Sequence, residues 1–378
     1  MFYYSVGSVN VNTKSPECGD CRIPIQPERR MTTIREIAKK AGVSIGTVDR
    51  VIHNRGRVSR NAKEKISKII KESNYKPNVF ASHLSLAKNY TFAVLVPEPP
   101  QDGRYWELPL KGMRKAAEEL KPYKVRIRYF HYDKYSETSF FRAGEKLLRM
   151  RREIDGVVIA PVLSHASEAF LEKIPSGLPF VFIDSTVPNS RCLSFIGQNP
   201  FRSGVLAAKL MDMLMGGGGS VAVTRIVPQD YHIDDRVNGF LAFFDDRPLV
   251  RLVTYQADRR SDESAFAHLA LKMLKENPDL RGIFIPSAMG HQVAEILKRK
   301  PPVRKVHLIG YDLVDANLPY LREGWIDFII SQRPEIQGYQ GVYLLYQHLL
   351  LKNPVPRNLN LPLDIVTREN LDDYLETV

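Results

Sequence analysis

The sequence predicts a small all-α helix-turn-helix domain followed by an α/β core of two doubly wound parallel-sheet lobes. Three observations carry this. Basic charge is concentrated: residues 31–90 hold 13 Lys and Arg against 4 Asp and Glu, in a chain of 378 residues with net charge +12. The same stretch has apolar residues at helical spacing. After Tyr90 the pattern changes to short β-rich runs alternating with helix-length segments, in two successive series.

Composition sets the outer limits. Hydrophobic residues at 44% and charged residues at 25% are those of a globular chain with a sizeable core. Residues 1–30 lack periodicity and an apolar h-region, so they read as a disordered leader rather than a signal peptide. Met31 opens the first clear helix signal. The three cysteines, Cys18, Cys21 and Cys192, are too few for a disulfide framework and fit a reducing cytoplasm. Cys18 and Cys21 have the spacing of half a zinc site, but no second pair or His couple follows, so no metal is expected. No apolar run approaches the roughly 20 residues of a membrane span.

The headpiece spans 31–76. Thr33-Ile34-Arg35-Glu36 has the form of a capping box, which starts a helix whose apolar face is Ile34, Ile37, Ala38 and Ala41. Gly42 ends it, and Ser44 caps a second helix running to about Ile52. Two short helices joined by a tight turn make a helix-turn-helix. A third runs from Ser59 to about Ser73, with Ile66, Ile69 and Ile70 as its apolar stripe and Lys on the remaining surface. A localised basic block on such a module points to a polyanion such as DNA.

In the core, strands are expected at Phe92–Val96, Val125–Phe130, Gly156–Ala160 and Phe180–Asp184. The second series is Val221–Ile226, Leu252–Tyr255, Gly282–Ile285, Val306–Tyr311 and Phe328–Ser331. Helices between them include Leu110–Leu120, Phe201–Met215, Ser264–Lys275 and Glu335–Leu351. Alternation of this kind implies parallel sheets covered on both faces, with ligands at the carboxyl ends of the strands.

The headpiece residues Thr33 to Ser44, then Thr47-Val48-Asp49-Arg50-Val51-Ile52, closely resemble the headpiece of the LacI/GalR family of bacterial repressors. Asn74-Tyr75-Lys76-Pro77-Asn78, followed by Ala81 and Leu84, is similar to that family's hinge helix. In the core, Ile183-Asp184, Ile196-Gly197-Gln198-Asn199, Arg236-Val237-Asn238-Gly239-Phe240, Ile309-Gly310-Tyr311-Asp312 and Ile330-Ser331-Gln332 match recurring family blocks in order. The resemblance implies a periplasmic-binding-protein-like sugar-sensing core. It divides the chain into a headpiece (31–76), a hinge helix or linker (77–89) and a core (90–378). The first lobe is then about 90–190 with 333–352, and the second about 191–332 with 353–378.

The resemblance also implies roles. The second helix enters the major groove, with Ile45, Gly46 and Arg50 at base-reading positions; Arg matches two acceptors on guanine. Val48 reads as core. Thr33, Ser44, Thr47 and Asn54 suit phosphate contacts. Asn78 and Ala81 lie in the hinge helix, where Leu84 wedges a base step from the minor groove. Two departures stand out: Gly46 offers no side chain, and Asp49 stands where the family commonly has Ser. In the core, Asp184, Arg236, Asp312 and Gln332 form the polar set for a sugar, and Tyr105 and Trp106 its aromatic floor. For Asp184 a helix N-cap is the competing role, as it is for Asn199. Pro286-Ser287-Ala288-Met289 replaces the Asn-Asp of many relatives, which points to different sugar contacts, or to a sugar acid or phosphate. Arg104 and Arg225 are the basic residues near the mouth, with surface placement the competing reading.

No catalytic constellation emerges. Gly216–Gly219 follows a helix and precedes a strand, the reverse of a phosphate loop, and neither GxGxxG nor a Walker lysine is present. No cofactor is called for. The expectation is a cytoplasmic, homodimeric transcription regulator, a repressor as the resemblance implies, that binds a near-palindromic double-stranded DNA operator under control of a small sugar or sugar acid. The alternatives are a sugar-binding protein or a sugar-modifying α/β enzyme without a regulatory role.

Overall fold

Ser44 and Ser59 each stand just before a run of helical apolar spacing, and each begins a helix. The computed structural model describes residues 34–52, 58–73, 88–227, 230–258 and 264–376. They fall into two units, 1–79 and 80–378. In the first, α1 (Ile34–Ala41), α2 (Ile45–Ile52) and α3 (Arg60–Glu72) follow in order. Ser44 Oγ accepts from Thr47 N at 3.2 Å, and Ser59 Oγ from Ala62 N at 3.4 Å. Each such cap contributes about 1 kcal/mol by satisfying an amide the helix leaves open. Gly42 turns the chain between α1 and α2 at φ 69°, a conformation glycine adopts without the Cβ penalty. Ile37, Ala38, Ala41, Val48 and Ile66 are buried together, with Ile69 and Ile70 packed against them. Thr33, Asn54, Asn78, Ala81 and Leu84 lie outside the described residues, as do the leader with Cys18 and Cys21 and most of the hinge.

The second unit holds two six-stranded sheets. The first contains β1 (Tyr90–Pro97), β2 (Val125–Tyr132), β3 (Gly156–Ile159), β4 (Phe180–Ile183), β5 (Ser194–Gly197) and β11 (Asn358–Asn360). The second contains β6 (Gly219–Val227), β7 (Val250–Asp258), β8 (Leu280–Phe284), β9 (His307–Tyr311), β10 (Phe328–Ser331) and β12 (Asp364–Val366). Their orders are β11-β5-β4-β3-β1-β2 and β12-β10-β9-β8-β6-β7. All described pairings are parallel except β12 on β10. The central strands β3 and β4 are buried along their whole length, as parallel strands covered on both faces must be. Each sheet reverses winding direction beside its first strand, β1 or β6, which opens a crevice at the carboxyl ends there.

Strand membership departs from the expected lobe ranges at two places. β5 lies beyond residue 190, and β11 lies within 353–378, yet both pair into the first sheet. Both are only three or four residues long, too short for periodicity to reveal. The chain therefore crosses between sheets near residues 198, 332 and 361. Gln198 joins these crossings: its Nε2 donates to Ser331 O at 2.7 Å and Pro362 O at 2.8 Å.

Each lobe is braced by one helix pair that crosses at glycine. In the first, Glu107–Leu120 packs on Pro334–Leu349; a Cβ at Gly112 would lie 1.8 Å from Glu335 O, and one at Gly338 1.9 Å from Pro109 O. In the second, Pro200–Met215 packs on Tyr231–Phe243, with Gly204 set against Arg236 O at 1.9 Å in the same sense. Backbone touches backbone at these crossings, so the position of Arg236 is set by the absence of a side chain on the neighbouring helix. Asn199 caps Pro200–Met215, accepting from Arg202 N at 2.9 Å.

Candidate functional site

On α2, Val48 points into the headpiece core while Ser44, Ile45, Gly46 and Arg50 are exposed and Thr47 is half-buried. The helical period separates the two faces. Ile45 is a large apolar side chain left 44% exposed, on the exposed face with Arg50. The Asp49 side chain lies outside the described residues.

In the core, the carboxyl ends of both sheets converge on one cavity. All six sequence-expected ligand residues line it: Tyr105 and Trp106 after β1, Asp184 after β4, Arg236 from the helix after β6, Asp312 after β9 and Gln332 after β10. Ser287 and Ala288, from the segment expected to alter the sugar contacts, line it too, and Asp102, Lys134, His232 and Ile233, which were not anticipated, complete the lining.

Backbone strain aims the carboxylates. Asp102, Asp184 and Asp312 occupy the left-handed region, at φ 54°, 67° and 64°. Such conformations are costly for non-glycine residues and gather where a site fixes a side chain. Asp184 is thus no helix N-cap: no described helix begins after it. Its Oδ1 accepts from Tyr105 Oη at 2.6 Å, and His232 Nε2 lies 3.6 Å from its Oδ2. Asp102 accepts from Trp106 Nε1, Lys134 Nζ and Tyr135 Oη. Tyr105 and Trp106 stand edge to face with ring centres 5.0 Å apart.

Arg236 is buried and held on three sides. Nη1 donates to Pro286 O at 2.9 Å, Nη2 to Gln332 Oε1 at 2.6 Å, and the guanidinium lies 4.2 Å over the Tyr311 ring. Gln332 Nε2 donates to Asp312 Oδ2 at 2.9 Å. Burial pushes the Asp312 carboxyl up to about 7, against the opposing pull of Arg236 and Gln332. Burial also opposes the charge on Asp230, but His232, Lys134 and Arg236 hold it below the usual carboxylate range. His232 Nδ1 lies 2.6 Å from Asp230 Oδ1, close in charge yet off-line for a directed hydrogen bond.

A hydrogen-bonded relay links the Asp184 backbone to the Asp312 carboxylate. Gln337 Oε1 accepts from Asp184 N at 2.7 Å, and its Nε2 donates to Gln332 O at 2.9 Å. Gln332 then reaches Asp312 and Arg236. Gln337 is buried and lines no cavity, so no sequence signal short of the fold would have marked it. The basic residues at the mouth turn outward. Arg104 pairs with Glu107, and Arg225 with Asp234 and Asn238; neither lines the cavity.

Among the described residues, the buried side-chain atoms without a hydrogen-bond partner on the cavity lining are Asp312 Oδ1, Arg236 Nε, Ser287 Oγ and His232 Nδ1, the last of them facing Asp230. Buried polar atoms are ordinarily satisfied, so this set marks where a bound molecule completes the bonding. Acceptor, donor and dual-function hydroxyl together suit a polyhydroxylated compound.

Comparison with known proteins follows this division. The model for a periplasmic binding protein domain matches residues 92–353, and the model for bacterial regulatory proteins of the lacI family matches residues 33–78. The ribose operon repressor of Lactococcus lactis subsp. lactis is 25% identical over 350 residues, covering 90% of this chain and 98% of its own. The transcriptional regulator DegA of Bacillus subtilis is 35% identical over 159 residues, or 42% of this chain and 45% of DegA. A crystal structure from Bacteroides fragilis, assigned as a LacI transcriptional regulator, aligns with TM-score 0.69 and 28% identity over 76% of this chain and all of its own. With its headpiece and its two-lobed core both matched, the chain belongs to the lacI family of bacterial regulatory proteins, which are DNA-binding transcription regulators.

Proposed function

We propose that this chain represses genes of sugar metabolism, and that a polyhydroxylated small molecule bound between the core lobes controls its hold on DNA. The observation that carries this is the convergence of Asp102, Asp184, Arg236, Asp312 and Gln332 from both lobes on one cavity. A molecule contacting both lobes biases how they sit, and only a difference in affinity between lobe arrangements can shift that balance. Relatives include the ribose operon repressors of Lactococcus lactis and Halalkalibacterium halodurans, which supports a sugar as effector.

On DNA, Arg50 reads a guanine edge from the major groove, Ile45 contacts the groove, and Ser44, Thr47 and the basic surface of α3 meet phosphates. Thr33, Asn54, Asn78, Ala81 and Leu84 take the phosphate and minor-groove roles their positions imply. The chain works as a homodimer in the cytoplasm, two headpieces matching a near-palindromic operator, with no catalytic step and no cofactor.

The test is selection of bound fragments from random and genomic DNA at a stated salt concentration, because phosphate neutralisation alone gives salt-dependent binding to any sequence. Enrichment of a near-palindromic site, lost or strengthened when a sugar is added, is the expected result. Absence of any enriched site, with and without a sugar panel, would sink the regulator reading.

A further inference from the structure

The polyol reading of the cleft leaves neutral sugars, sugar acids and sugar phosphates as effectors. We propose that the effector carries no net negative charge, so that the cleft admits a neutral polyol of monosaccharide size and rejects its acid and phosphate derivatives.

The case rests on how each anion-attracting feature around the cavity is already used. Lys134 is buried with its ammonium 2.8 Å from Asp102 Oδ2 and 3.9 Å from Asp230 Oδ2. Arg236 gives one N–H of each terminal nitrogen to Pro286 O and Gln332 Oε1 and lays its face on Tyr311, while Nε has no partner. The Gln332 amide that holds Nη2 also donates to Asp312 Oδ2, so the guanidinium is already tied through it to a carboxylate of the protein. At the start of Tyr231–Phe243 the Asp230 carboxylate stands at the N-cap position without a capping bond, so its own negative charge occupies the positive end of the helix dipole, where an anion would otherwise be drawn. At Gly290–Arg299 the His291 amide donates to Asn317 Oδ1 at 2.8 Å. The exposed cations nearest the mouth, Arg104 and Arg225, pair with Glu107 and Asp234 away from the lining.

What remains is acceptor-rich. Asp102, Asp184 and Asp312 line the cavity against Lys134 and Arg236, with Asp230 in contact with Lys134. A protonated His232 would still not turn this set positive. Asp312 Oδ1 is buried and unpartnered, and Asp184 lies close enough to push its carboxyl further toward the neutral form. An incoming anion would meet the charges of Asp102, Asp184 and Asp230 in a desolvated site, where like charges repel far more strongly than in water. Hydroxyl groups meet instead the acceptors they need: Asp312 and Asp184, with Arg236 Nε and Ser287 Oγ to serve their lone pairs.

The experiment is calorimetric titration of the full chain with aldopentoses and aldohexoses, each beside its uronic or aldonic acid and its phosphate. The expected result is one or more neutral sugars binding, with their acid and phosphate forms weaker by about 100-fold or more. An acid or phosphate that binds more tightly than its neutral parent overturns this proposal and leaves the polyol reading standing. No binding by any member sinks the polyol reading, and this proposal with it. In Asp184→Asn, whose folding is checked by thermal melting, the acid-to-neutral affinity ratio should rise about tenfold even as both weaken. A ratio unchanged in the folded variant overturns the role given to charge.

Discussion

Arg50 and Gly46 face the same way on α2, yet one offers a long planar donor and the other nothing. Arg50→Ala should cost about 1–3 kcal/mol of operator affinity and relax preference at one base pair. Selection experiments on the variant check this, and a uniform loss across all sequences would make Arg50 a phosphate contact instead. Gly46 can accept a side chain, because a Cβ there meets only Ser44 Oγ at 3.8 Å. Gly46→Asn should leave stability within about 0.5 kcal/mol and add preference for adenine at one position, since the Asn amide matches the adenine edge. Selection with and without the substitution reads the change. In the cleft, Asp312 carries a pH signature. Its carboxyl titrates near 7 when folded against an ordinary 3.8, because burial penalises the charge. Between those values the folded chain holds the proton more tightly than the unfolded chain, so this residue's contribution to stability is lost as pH rises through the window. Asp312→Asn should flatten that dependence by an amount on the order of a few kcal/mol. Urea unfolding at about pH 5 and about pH 8 compares the two proteins; equal slopes would show that Asp312 titrates normally.

At the scale of elements, two devices hold the site. One is the glycine crossing that sets Tyr231–Phe243 against Pro200–Met215. Gly204→Ala drives a methyl into Arg236 O, and the helices must separate. Overpacking of this kind costs about 1–3 kcal/mol. Because Arg236 moves with its helix, effector affinity should fall by more than in Gly112→Ala, which strains the matching crossing in the first lobe without touching Arg236. Thermal melts and titrations on both variants separate the effects; equal loss of affinity would show that Arg236 is positioned by other contacts. The other device is the relay from Asp184 N through Gln337 and Gln332 to Asp312 and Arg236. Every link is buried, so breaking one strands a polar group in a low dielectric. The Asp184 backbone and the Asp312 carboxylate are thereby held by one bonded chain through a crossing segment, and their mutual placement does not depend on side-chain packing alone.

Across the core as a whole, the start of one helix spans the cleft. Tyr231 Oη donates to Glu168 at 2.8 Å, His232 faces Asp184 at 3.6 Å, and Asp230 faces Lys134 at 3.9 Å. These contacts join second-lobe residues to first-lobe partners, while Gln198 ties the crossings at the hinge side. Lobe closure is therefore reported at both edges of the core by polar bonds that lengthen or break if the lobes part. If effector and operator act through one equilibrium, each must change the other's affinity by the same factor. Titrating the effector with and without operator DNA should give a ratio equal to that of operator affinity with and without effector. Equal effector affinity in both conditions would remove the coupling.

The sequence alone determined the headpiece and the rhythm of the core. Capping residues, Gly42 and the apolar period act within a few positions of one another, so Ile37, Ala38, Val48 and Ile66 were legible as a centre before any fold was known. The long strands and helices were legible for the same reason, and Asp184, Arg236, Asp312 and Gln332 were marked by their places at strand ends together with the family's pattern. Tertiary structure decided the rest. Asp102, Lys134 and His232 enter the cavity from segments 30 to 130 positions apart, and no local period records that they meet. β5 and β11 are too short to announce themselves, and their sheet is chosen by hydrogen bonds to strands far away in the chain. Gln337 reads as one more polar residue on a helix until the left-handed turn at Asp184 brings an amide to it. Local chemistry fixes which elements form; which buried charges share one low-dielectric space is settled only when those elements pack, because that is when water leaves and the charges must answer to each other.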